Sequence, residues 1–535
     1  MLVAGLELFL IAIGLTYYLG TAGVGLVLMW ATGWHGKHAR LRRRMPGDAR
    51  PFGQAPAGQA PLGRASFGHA PNGQPRRRRS RRHPHRRPRR WPERPIAASE
   101  KVSQLLLTAD EPIPRVSLVT MPEDLVTYFL VPCLNEELVV ERTVKGLLGN
   151  RQAKVVVIDD ASDDNTGELA AAIDPDRVIV THRELPEARL GKGPALNNGL
   201  AAVVHDAARR RIAASRIVIC VIDADGELSA GALHEVLPLF CDSRIGGVQL
   251  QVRIRNTGSP LTILQDLEFW GVAAIGQIGR NATGTVSLGG NGQFTRLTAL
   301  LELGRDPWRR RLTEDLDLGL ALATASWRLV CAPRAYVSQQ GVPTLRALIR
   351  QRTRWYQGHM EAAEWFGPLW RSLQVSHLGM LEMLLYLMLP WALVLPWSIL
   401  FNYNLTVTVE WLLGWAPAPP IGTDLTEQVS SIVAWYLLSF LPIWTAGYMY
   451  YRQRRRVGLL RALLFAHILL IGNYITYFAC WRALIRLMTR SKSWQKTGRV
   501  PEQRPLRPSP PARPAVPATA ATQIAPLTPL APGTR

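Results

Sequence analysis

Cysteine is scarce in this chain, with five residues among 535. They show neither a close pairing nor the spacing of a metal site, and they stand at Cys133, Cys220, Cys241, Cys331 and Cys480. This absence excludes a fold built on disulfides and a metal site built from cysteines. We therefore expect most of the cysteines to be small buried hydrophobic side chains, in a domain that folds in a reducing compartment such as the cytosol.

The N-terminal apolar run lacks the features of a cleaved signal peptide. Residues 2–30 contain one charge, Glu7, and have neither a basic start nor a small-residue cleavage site. Such a run is long enough to cross a bilayer as a helix. We predict a retained transmembrane helix over 1–30 and a transmembrane region of three or more spans over 374–490. The second region contains apolar runs at about 377–401, 429–451 and 457–480.

Acidic and bulky apolar residues are both rare after the first run. Between positions 35 and 95, eighteen Lys and Arg stand against Asp48 and Glu93, which gives +16 of the net charge of +23. Residues 52–75 repeat a five-residue unit, FGQAP, AGQAP, LGRAS, FGHAP and then NGQP. Because neither stretch can bury a core, we predict a disordered basic linker over 36–100. A disordered tail rich in Pro and Ala is predicted over 501–535.

The position of the linker limits its partners. It follows the first span, so the positive-inside tendency places it in the cytoplasm and the N-terminus outside. Membrane lipids with anionic headgroups are then its nearest partners, at about 1 kcal/mol per basic residue close to the surface. A plain solvated tether is the alternative, and no nucleic-acid partner is expected. The side of the C-terminus stays open, because basic residues flank the 457–480 run on both sides. A re-entrant segment or an extra span around 397–415 would resolve this conflict.

Strand-like and helix-like segments alternate between residues 120 and 370. The strand-like runs are short and rich in β-branched residues, at Val126–Val131, Val155–Ile158, Val178–Val180 and Ile217–Ile222. Helix-like stretches such as 136–148 and 193–209 lie between them. This alternation predicts an α/β domain with a mostly parallel sheet and helices on both faces. Sheets of this class bind ligands at the carboxyl ends of their strands.

Carboxylates close two of these strand-like runs. Asp159 and Asp160 follow the second run, and such groups accept hydrogen bonds from a nucleobase imide and a ribose hydroxyl. Asp163, in the same string, is equally explained as a helix cap. Asp223 and Asp225 follow the Ile217–Ile222 run. Their hard oxygen atoms suit Mg²⁺ or Mn²⁺ held jointly with a substrate diphosphate, although a D-x-D string is common by chance.

Three further positions are candidates. Lys192 stands between two glycines and can bring an ammonium group to a nucleotide, but a plain loop before a helix explains it nearly as well. Glu314 and Asp315 supply carboxylates, of which one suffices as the base of a displacement at a nucleoside diphosphate. No protein acid is then needed, because a metal stabilises the departing diphosphate, and a single displacement inverts the anomeric carbon. Helix capping is the alternative for this pair.

Gln351, Arg354 and Trp355 lie in an amphipathic stretch that begins at about 343. An indole face stacks on a sugar ring, while Gln and Arg donate to hydroxyl and phosphate groups. An interfacial helix with Trp and Arg at headgroup level is the alternative. The two interpretations are compatible, because an acceptor site beside the membrane would use the same helix.

The ordered set DDxSxD, DxD, TED and QxxRW resembles the membrane-embedded family 2 glycosyltransferases, which include cellulose, chitin and hyaluronan synthases. The resemblance covers about 120–370 and the spans that follow. It implies a cytosolic GT-A domain with interfacial helices, in a multi-pass protein of a bacterial cell membrane. It also implies nucleotide contact by Asp159 or Asp160 and metal binding by Asp223 and Asp225. Ser287–Gln293 occupies the position of the family's acceptor loop, but its sequence is unlike that of the known members. The resemblance therefore does not identify the sugar or the acceptor.

The same resemblance implies Asp315 as the base, and Gln351, Arg354 and Trp355 at the acceptor or the phosphates. We expect a processive enzyme that extends a β-linked polysaccharide from UDP-glucose or UDP-N-acetylglucosamine and exports it, with room for an export or processing partner protein. Polar residues in the spans suit such a path or plain helix packing: Glu382, Asn402, Asn404 and Asn473. Transfer of one sugar to a lipid is the main alternative, and an inactive scaffold is a weaker one.

Overall fold

The structure is a computed structural model that describes residues 23–25, 27, 124–150, 152–415, 424–453 and 458–491. Most of the predicted first span, the linker at 36–100 and the tail at 501–535 lie outside these residues. The described residues form a sheet domain and a set of long C-terminal helices.

The described elements follow the predicted alternation and then become entirely helical. The strands are β1 (Val126–Cys133), β2 (Ala153–Asp159), β3 (Val178–His182), β4 (Ile217–Val221), β5 (Glu227–Leu228), β6 (Ile245–Ile254), β7 (Gln293–Arg296) and β8 (Arg328–Gln339). The helices of the sheet domain are α1 (Val140–Leu148), α2 (Thr166–Ala171), α3 (Lys192–Arg209), α4 (Ala232–Val236), α5 (Pro260–Leu267), α6 (Ala274–Arg280), α7 (Leu297–Glu302), α8 (Glu314–Thr324), α9 (Leu345–Glu361) and α10 (Phe366–Arg371). The C-terminal helices are α11 (His377–Met388), α12 (Leu395–Leu412), α13 (Leu425–Gln453) and α14 (Leu459–Met488).

Two short π-helical segments interrupt this pattern. The first, Glu268–Ala273, joins α5 to α6, and the second, Leu389–Val394, joins α11 to α12. Pro390 stands in the second segment and cannot donate a helical hydrogen bond, which accounts for the altered winding there. Both segments border one large cavity.

The eight strands form one mixed sheet with the order β3-β2-β1-β4-β7-β6-β8-β5. The half from β3 to β4 is parallel, as predicted. In the other half β6 pairs parallel with β8, while β7 pairs antiparallel with β4 and β6, and β5 pairs antiparallel with β8. Six of the eight strands therefore run in one direction, which confirms the prediction of a mostly parallel sheet. Connections that contain helices bring the parallel strands back in the same direction, whereas β5 and β7 run the opposite way.

The buried faces of the sheet explain why these segments are strands. Every residue of β2 is buried, as expected for a strand covered by helices on both faces. Phe129 of β1 and Phe294 of β7 meet edge to face, with ring centroids 6.4 Å apart, in the core below α1 and α4. All five cysteines are free and four are buried, Cys241 being partly exposed, which confirms their prediction as small core residues.

The sheet places a crevice beside β1. From β1 the chain proceeds to β2 and β3 on one side, and it later returns to form β4 on the other side. The ends of β1 and β4 therefore diverge at a topological switch point, where sheets of this class bind ligands. Asp160 follows β2 directly, and Asp223 follows β4 after Ile222. Both predicted carboxylate clusters thus lie at the same edge of the sheet.

The C-terminal helices contact the sheet domain closely. His377–Trp411 is one continuous helix of 35 residues, and it and Leu459–Met488 are long and apolar enough to cross a membrane. The extra span suggested around 397–415 is therefore wrong as a separate element, because it is the second half of the first of these helices. Helix α14 packs against α9, and α13 packs against the segment Glu268–Ala273. The predicted amphipathic stretch is α9, which also contacts the segment Leu389–Val394.

Candidate active site

One large cavity joins the four sequence clusters. Its volume is about 1100 Å³, and it extends from the crevice beside β1 to the π-helical segment Leu389–Val394. Nearly every predicted site residue lines it: Asp160, Lys192, Asp223, Glu314, Asp315, Gln351, Arg354 and Trp355. Asp159 and Asp225 are not among its lining residues. Residues almost 200 positions apart therefore share one space.

Asp159 and Asp160 differ in what they contact. Asp160 borders the cavity and forms an ion pair with Arg183. Burial raises the pKa of Asp160, and the Arg183 guanidinium opposes that shift. Asp159 instead accepts from the backbone N–H of Ser162 at 2.9 Å and lies 3.1 Å from Nδ1 of His182. Of the two, Asp160 is therefore the one positioned to touch a ligand, whereas Asp159 holds its own loop.

The remaining polar residues of the first cluster fix the rim of the cavity. The N–H of Asn135, after β1, donates to Oγ of Ser162, and the N–H of Asp163 donates to Oδ1 of Asn135. Asn135 and Ala161 both have positive φ, at 53° and 63°. Two strained turns are thus held together by reciprocal hydrogen bonds. Asp163 also pairs with Arg189 at the surface, so its role in this structure is structural.

Lys192 connects the second cluster to the acceptor-loop segment. Its Nζ donates to Oδ1 of Asp223 at 2.6 Å and to the carbonyl oxygen of Gly290 at 2.5 Å. Burial lowers the pKa of Lys192, but the carboxylates of Asp223, Glu314 and Asp315 outweigh it and raise the pKa above the usual value. Lys192 is therefore a fixed cation in the cavity.

The residues predicted to hold a metal lie on two levels. Asp223 is partly exposed to the cavity, while Asp225 is 1% exposed and its Oδ2 accepts from the N–H of Gln340 at 2.8 Å. Within the described part of the chain, no group of three or more His, Cys, Asp or Glu side chains could hold a metal ion by itself. Mg²⁺ commonly takes one or two carboxylates plus substrate phosphates, and Asp223, the member of the pair that borders the cavity, fits that mode.

Glu314 and Asp315 begin helix α8 and lie beside the same lysine. A methyl group placed on Gly290 would be 3.0 Å from Nζ of Lys192 and 3.2 Å from Oδ2 of Asp315. The N–H of Leu316 donates to Oδ1 of Asp315 at 2.8 Å. Burial raises the pKa values of both carboxyls, and Lys192 and Arg354 oppose the shift. A carboxylate with a raised pKa is a better proton acceptor than an exposed one.

Helix α9 brings the last cluster to the cavity. It approaches the start of α8 closely because Gly358 leaves room for the side chain of Thr313. Trp355 packs edge to face on Phe269, with ring centroids 5.9 Å apart. Arg352, which the sequence reasoning missed, stacks over Trp355 at 4.2 Å and pairs with Glu268 at 2.6 Å. Its position in the QxxRW motif, between Gln351 and Arg354, is the sequence feature that could have identified it.

The acceptor-loop segment Ser287–Gln293 is clamped by two glutamines. Gln249 of β6 accepts from the N–H of Gly289 and donates to the carbonyl oxygen of Asn291, at 2.8 and 2.9 Å. Gln277 of α6 exchanges two hydrogen bonds with the backbone of Ser287. Asn291 in turn accepts from the N–H of Asp223 at 3.1 Å. The segment is thus fixed against both the sheet and the second cluster.

The far end of the cavity is apolar and belongs to the long helix that begins at His377. Its lining residues there are Leu389, Pro390, Leu393 and Val394. Two of the polar residues predicted along the spans are engaged within the protein. Glu382 pairs with Arg280 at 2.6 Å and accepts from Thr285, and Asn402 donates to the carbonyl oxygen of Ser398 at 2.7 Å. These contacts favour the packing alternative for both residues.

An α/β sheet with a charged cavity at the switch point of its strands is typical of domains that bind nucleotides. The chain matches the model of the family "Glycosyltransferase like family 2" over residues 122–358. Over these residues the chain is similar to the family 2 glycosyltransferases, as the resemblance implied, and the match supports the expected GT-A type of fold.

Two similar proteins differ in the products that their names state. A β-monoglucosyldiacylglycerol synthase from Nostoc sp. is 33% identical over 239 residues, which are 43% of this chain and 48% of that protein. A poly-β-1,6-N-acetyl-D-glucosamine synthase from Staphylococcus aureus is 31% identical over 244 residues, 44% of this chain and 54% of that protein. The chain thus spans about half the length of these curated relatives. A solved mannosyltransferase from Pyrobaculum calidifontis, in complex with GDP-Man and Mn²⁺, is 17% identical with a TM-score of 0.42, covering 74% of this chain and 99% of its own.

Proposed function

We propose that this chain is a membrane-bound inverting glycosyltransferase that moves a sugar from a nucleotide-sugar donor to the hydroxyl of an acceptor. The observation that supports this most is the contact of Lys192 with Asp223 and Gly290, directly beside Asp315. A cation, a D-x-D carboxylate and a candidate base with a raised pKa then surround one point. UDP-glucose and UDP-N-acetylglucosamine are the proposed donors.

The proposed reaction is a single displacement. The acceptor oxygen forms a bond to the anomeric carbon while the bond from that carbon to the diphosphate oxygen breaks. The electron pair of the broken bond leaves with the nucleoside diphosphate, and the acceptor proton passes to the carboxylate of Asp315. Attack opposite the leaving group inverts the anomeric carbon.

The other residues hold the two substrates in this arrangement. Asp160 contacts the nucleoside, and Lys192 and Arg354 contact the phosphates. Asp223 would bind Mg²⁺ or Mn²⁺ together with the diphosphate, with Asp225 as the second carboxylate of the pair behind it, and that ion would neutralise the charge of the leaving group. Glu314 keeps a second carboxyl beside the base, and Gln351 and Trp355 face the acceptor. Trp355 offers an aromatic edge and face of the kind that packs on a sugar ring.

Two acceptors remain candidates, each with its own support. The apolar lining by Leu389, Pro390, Leu393 and Val394 suits the hydrocarbon part of a lipid better than a hydrated polymer. The involvement of Glu382 in an internal ion pair also argues against a polar export path. A β-linked polysaccharide is supported by the Staphylococcus relative and by the extension of the cavity to the membrane helix. We favour the lipid acceptor, in a cell membrane with the sheet domain on the cytoplasmic side.

The test of the base is Asp315→Asn. We expect transfer from radiolabelled UDP-sugar to fall by about 10²- to 10⁴-fold, the usual contribution of a general base. Asp317→Asn is the matched control in the same helix, since Asp317 faces Arg309 and Trp365. It should lower thermal stability and leave turnover of the folded enzyme largely intact. Undiminished transfer by the Asp315 variant would refute the assignment.

Analysis of the labelled product separates the two acceptors. A single labelled lipid that organic solvent extracts supports the lipid acceptor, and a labelled polymer that resists extraction supports polysaccharide synthesis. Addition of EDTA, followed by Mg²⁺ or Mn²⁺, tests the ion in the same assay. Activity that EDTA leaves unchanged would exclude the proposed metal.

A further inference from the structure

A buried amide beside the cavity is left without a partner. Gln251 of β6 is 4% exposed, and both its Oε1 and Nε2 are buried. Within the described residues neither atom has a hydrogen-bond partner. Leaving such a group unpaired costs about 1–3 kcal/mol of folding free energy. A leucine at this position would avoid that cost, so the presence of a glutamine calls for an explanation. No local pattern in the sequence singles it out.

Strand alternation shows where the amide points. Leu250 belongs to the core on one face of the sheet, and Val252 packs against it. Side chains alternate along a strand, so Gln251 lies on the opposite face. On that face Gln249 reaches the acceptor-loop segment, and Arg253 stacks over the ring of Trp270 at 5.4 Å. Gln251 therefore lies between the loop and the π-helical segment Glu268–Ala273, where it borders the cavity.

The strand register places Gln251 at the level of the crevice. Val221, the last residue of β4, pairs with Gln293 of β7, and Gln293 pairs with Gln249 of β6. Strands β4 and β6 run in the same direction because each is antiparallel to β7. Gln251 thus extends two residues beyond the level at which β4 ends. Within the sheet it lies two strands away from β4, because β7 stands between β4 and β6. The segment Glu268–Ala273, which carries Phe269, covers the sheet there.

Its surroundings in the cavity are those of the acceptor side. The segment above it carries Glu268, which pairs with Arg352, and Phe269, which packs on Trp355. The donor side is marked instead by carboxylates and a lysine at the ends of β2 and β4 and the start of α3: Asp160, Asp223 and Lys192. A side-chain amide can donate and accept at once, which matches a hydroxyl group.

We propose that Gln251 is a specificity-determining residue that binds a hydroxyl group of the acceptor, next to the hydroxyl that is glycosylated. This rests on the proposed function. The hydroxyls could belong to the glycerol part of a lipid or to the terminal sugar of a glycan. In either case the acceptor supplies the partner that the amide lacks, and an acceptor without this hydroxyl is discriminated against because the amide then stays unpaired.

The test compares Gln251→Leu with the wild-type enzyme in detergent, with UDP-glucose and UDP-N-acetylglucosamine as donors. One arm uses 1-monooleoylglycerol in mixed micelles as acceptor, whose glycerol part has two neighbouring free hydroxyls, and the other uses a β-linked glucose or N-acetylglucosamine tetrasaccharide. We expect the acceptor KM to rise by about three- to tenfold, which one hydrogen bond supplies, and the donor KM to stay within about twofold. The arm in which the acceptor KM rises identifies the source of the hydroxyl.

Gln265→Leu is the matched control. Gln265 is equally buried, but it donates to the carbonyl oxygens of Leu261 and Val342 and accepts from the N–H of Val342. This change should lower the Tm without changing either KM, whereas Gln251→Leu should leave the Tm equal or higher because it removes an unpaired amide.

Three outcomes have distinct meanings. An unchanged acceptor KM in Gln251→Leu, or a rise in the donor KM instead, overturns the assignment of Gln251 while the proposed function stands. A fall in Tm of Gln251→Leu as large as that of Gln265→Leu also overturns it, because the amide is then satisfied inside the protein. Absence of any UDP-sugar turnover by the wild-type enzyme refutes the proposed function itself.

Discussion

At the residue scale, the candidate site depends on how closely charged groups approach one glycine. The carbonyl oxygen of Gly290 accepts from Lys192, whose ammonium also contacts Asp223. Oδ2 of Asp315 lies near the same point, at the position that a side chain of residue 290 would take. The absence of a side chain at position 290 thus lets the lysine and the proposed base lie beside one another.

We expect Gly290→Ala to lower kcat/KM for sugar transfer by on the order of tenfold or more, because catalysis is sensitive to small displacements of the reacting groups. The added methyl group would be 3.0 Å from Nζ of Lys192 and 3.2 Å from Oδ2 of Asp315, so both groups must shift. The measurement is initial-rate kinetics at several donor concentrations.

Gly146→Ala is the control for this substitution. Gly146 lies within α1, and a methyl group there would meet nothing within 4 Å. Alanine should stabilise the helix by about 0.5–1 kcal/mol and leave the kinetics unchanged. Wild-type kinetics in Gly290→Ala would show that the approach of Lys192 and Asp315 is not required for turnover.

Local sequence patterns allowed prediction of only those site residues that they mark. Asp160 and Asp223 follow β-branched runs, so their place at a strand end could be inferred from neighbouring residues. Gln251 could not be found in this way, because its role depends on pairing of β6 with β7 and β8 and on coverage by Glu268–Ala273, which are contacts between distant segments. Asp159 shows the opposite limit, since its strand-end position was predicted while its contacts are with its own loop and with His182 of β3.

At the element scale, a buried ion pair joins the sheet domain to the first long helix. Arg280 ends α6 and Glu382 lies in α11, and their side chains are 5% and 9% exposed. The guanidinium also stacks over Tyr386 at 3.9 Å, and Thr285 donates to the second oxygen of Glu382. The alternation in residues 120–370 predicted the first four strands, β1 to β4, and the helices α1 and α3 between them. Their docking on α11 could not be predicted, because no local pattern pairs residues a hundred positions apart.

Glu382→Gln should destabilise the protein strongly, because Arg280 would be left buried without its counter-charge. Removal of one member of a buried pair typically costs about 3–5 kcal/mol, whereas replacement of both by apolar residues is often neutral. We therefore expect a lower Tm in detergent for Glu382→Gln and recovery in the double variant Arg280→Met with Glu382→Leu. A wild-type Tm for the single variant, combined with loss of product export, would instead return Glu382 to the export path.

At the scale of the whole molecule, charge and chemistry are separated along the chain. The linker at 36–100 carries most of the excess positive charge, yet the polar residues proposed for catalysis and binding lie between positions 160 and 355. The positive charge of the linker therefore bears on how the protein is oriented in the membrane and not on the proposed reaction. The proposed reaction requires only that the sheet domain lies on the same side of the membrane as the UDP-sugar. The linker and the sheet domain are joined without a further apolar run of spanning length between them.

Protease accessibility tests this orientation. Ten arginines stand between positions 76 and 90, so trypsin should cut the linker in inverted vesicles, whose cytoplasmic face is outward, and spare it in right-side-out vesicles. Detergent-treated vesicles, in which the linker is cut from either preparation, are the control. Cleavage from the outer face of right-side-out vesicles would contradict a cytoplasmic linker. The same digest shows on which side of the membrane the C-terminal residues Lys496 and Arg499 lie. If they are cut in the same vesicles as the linker, the chain crosses the membrane an even number of times between the linker and Lys496. If they are cut in the opposite vesicles, the number of crossings is odd.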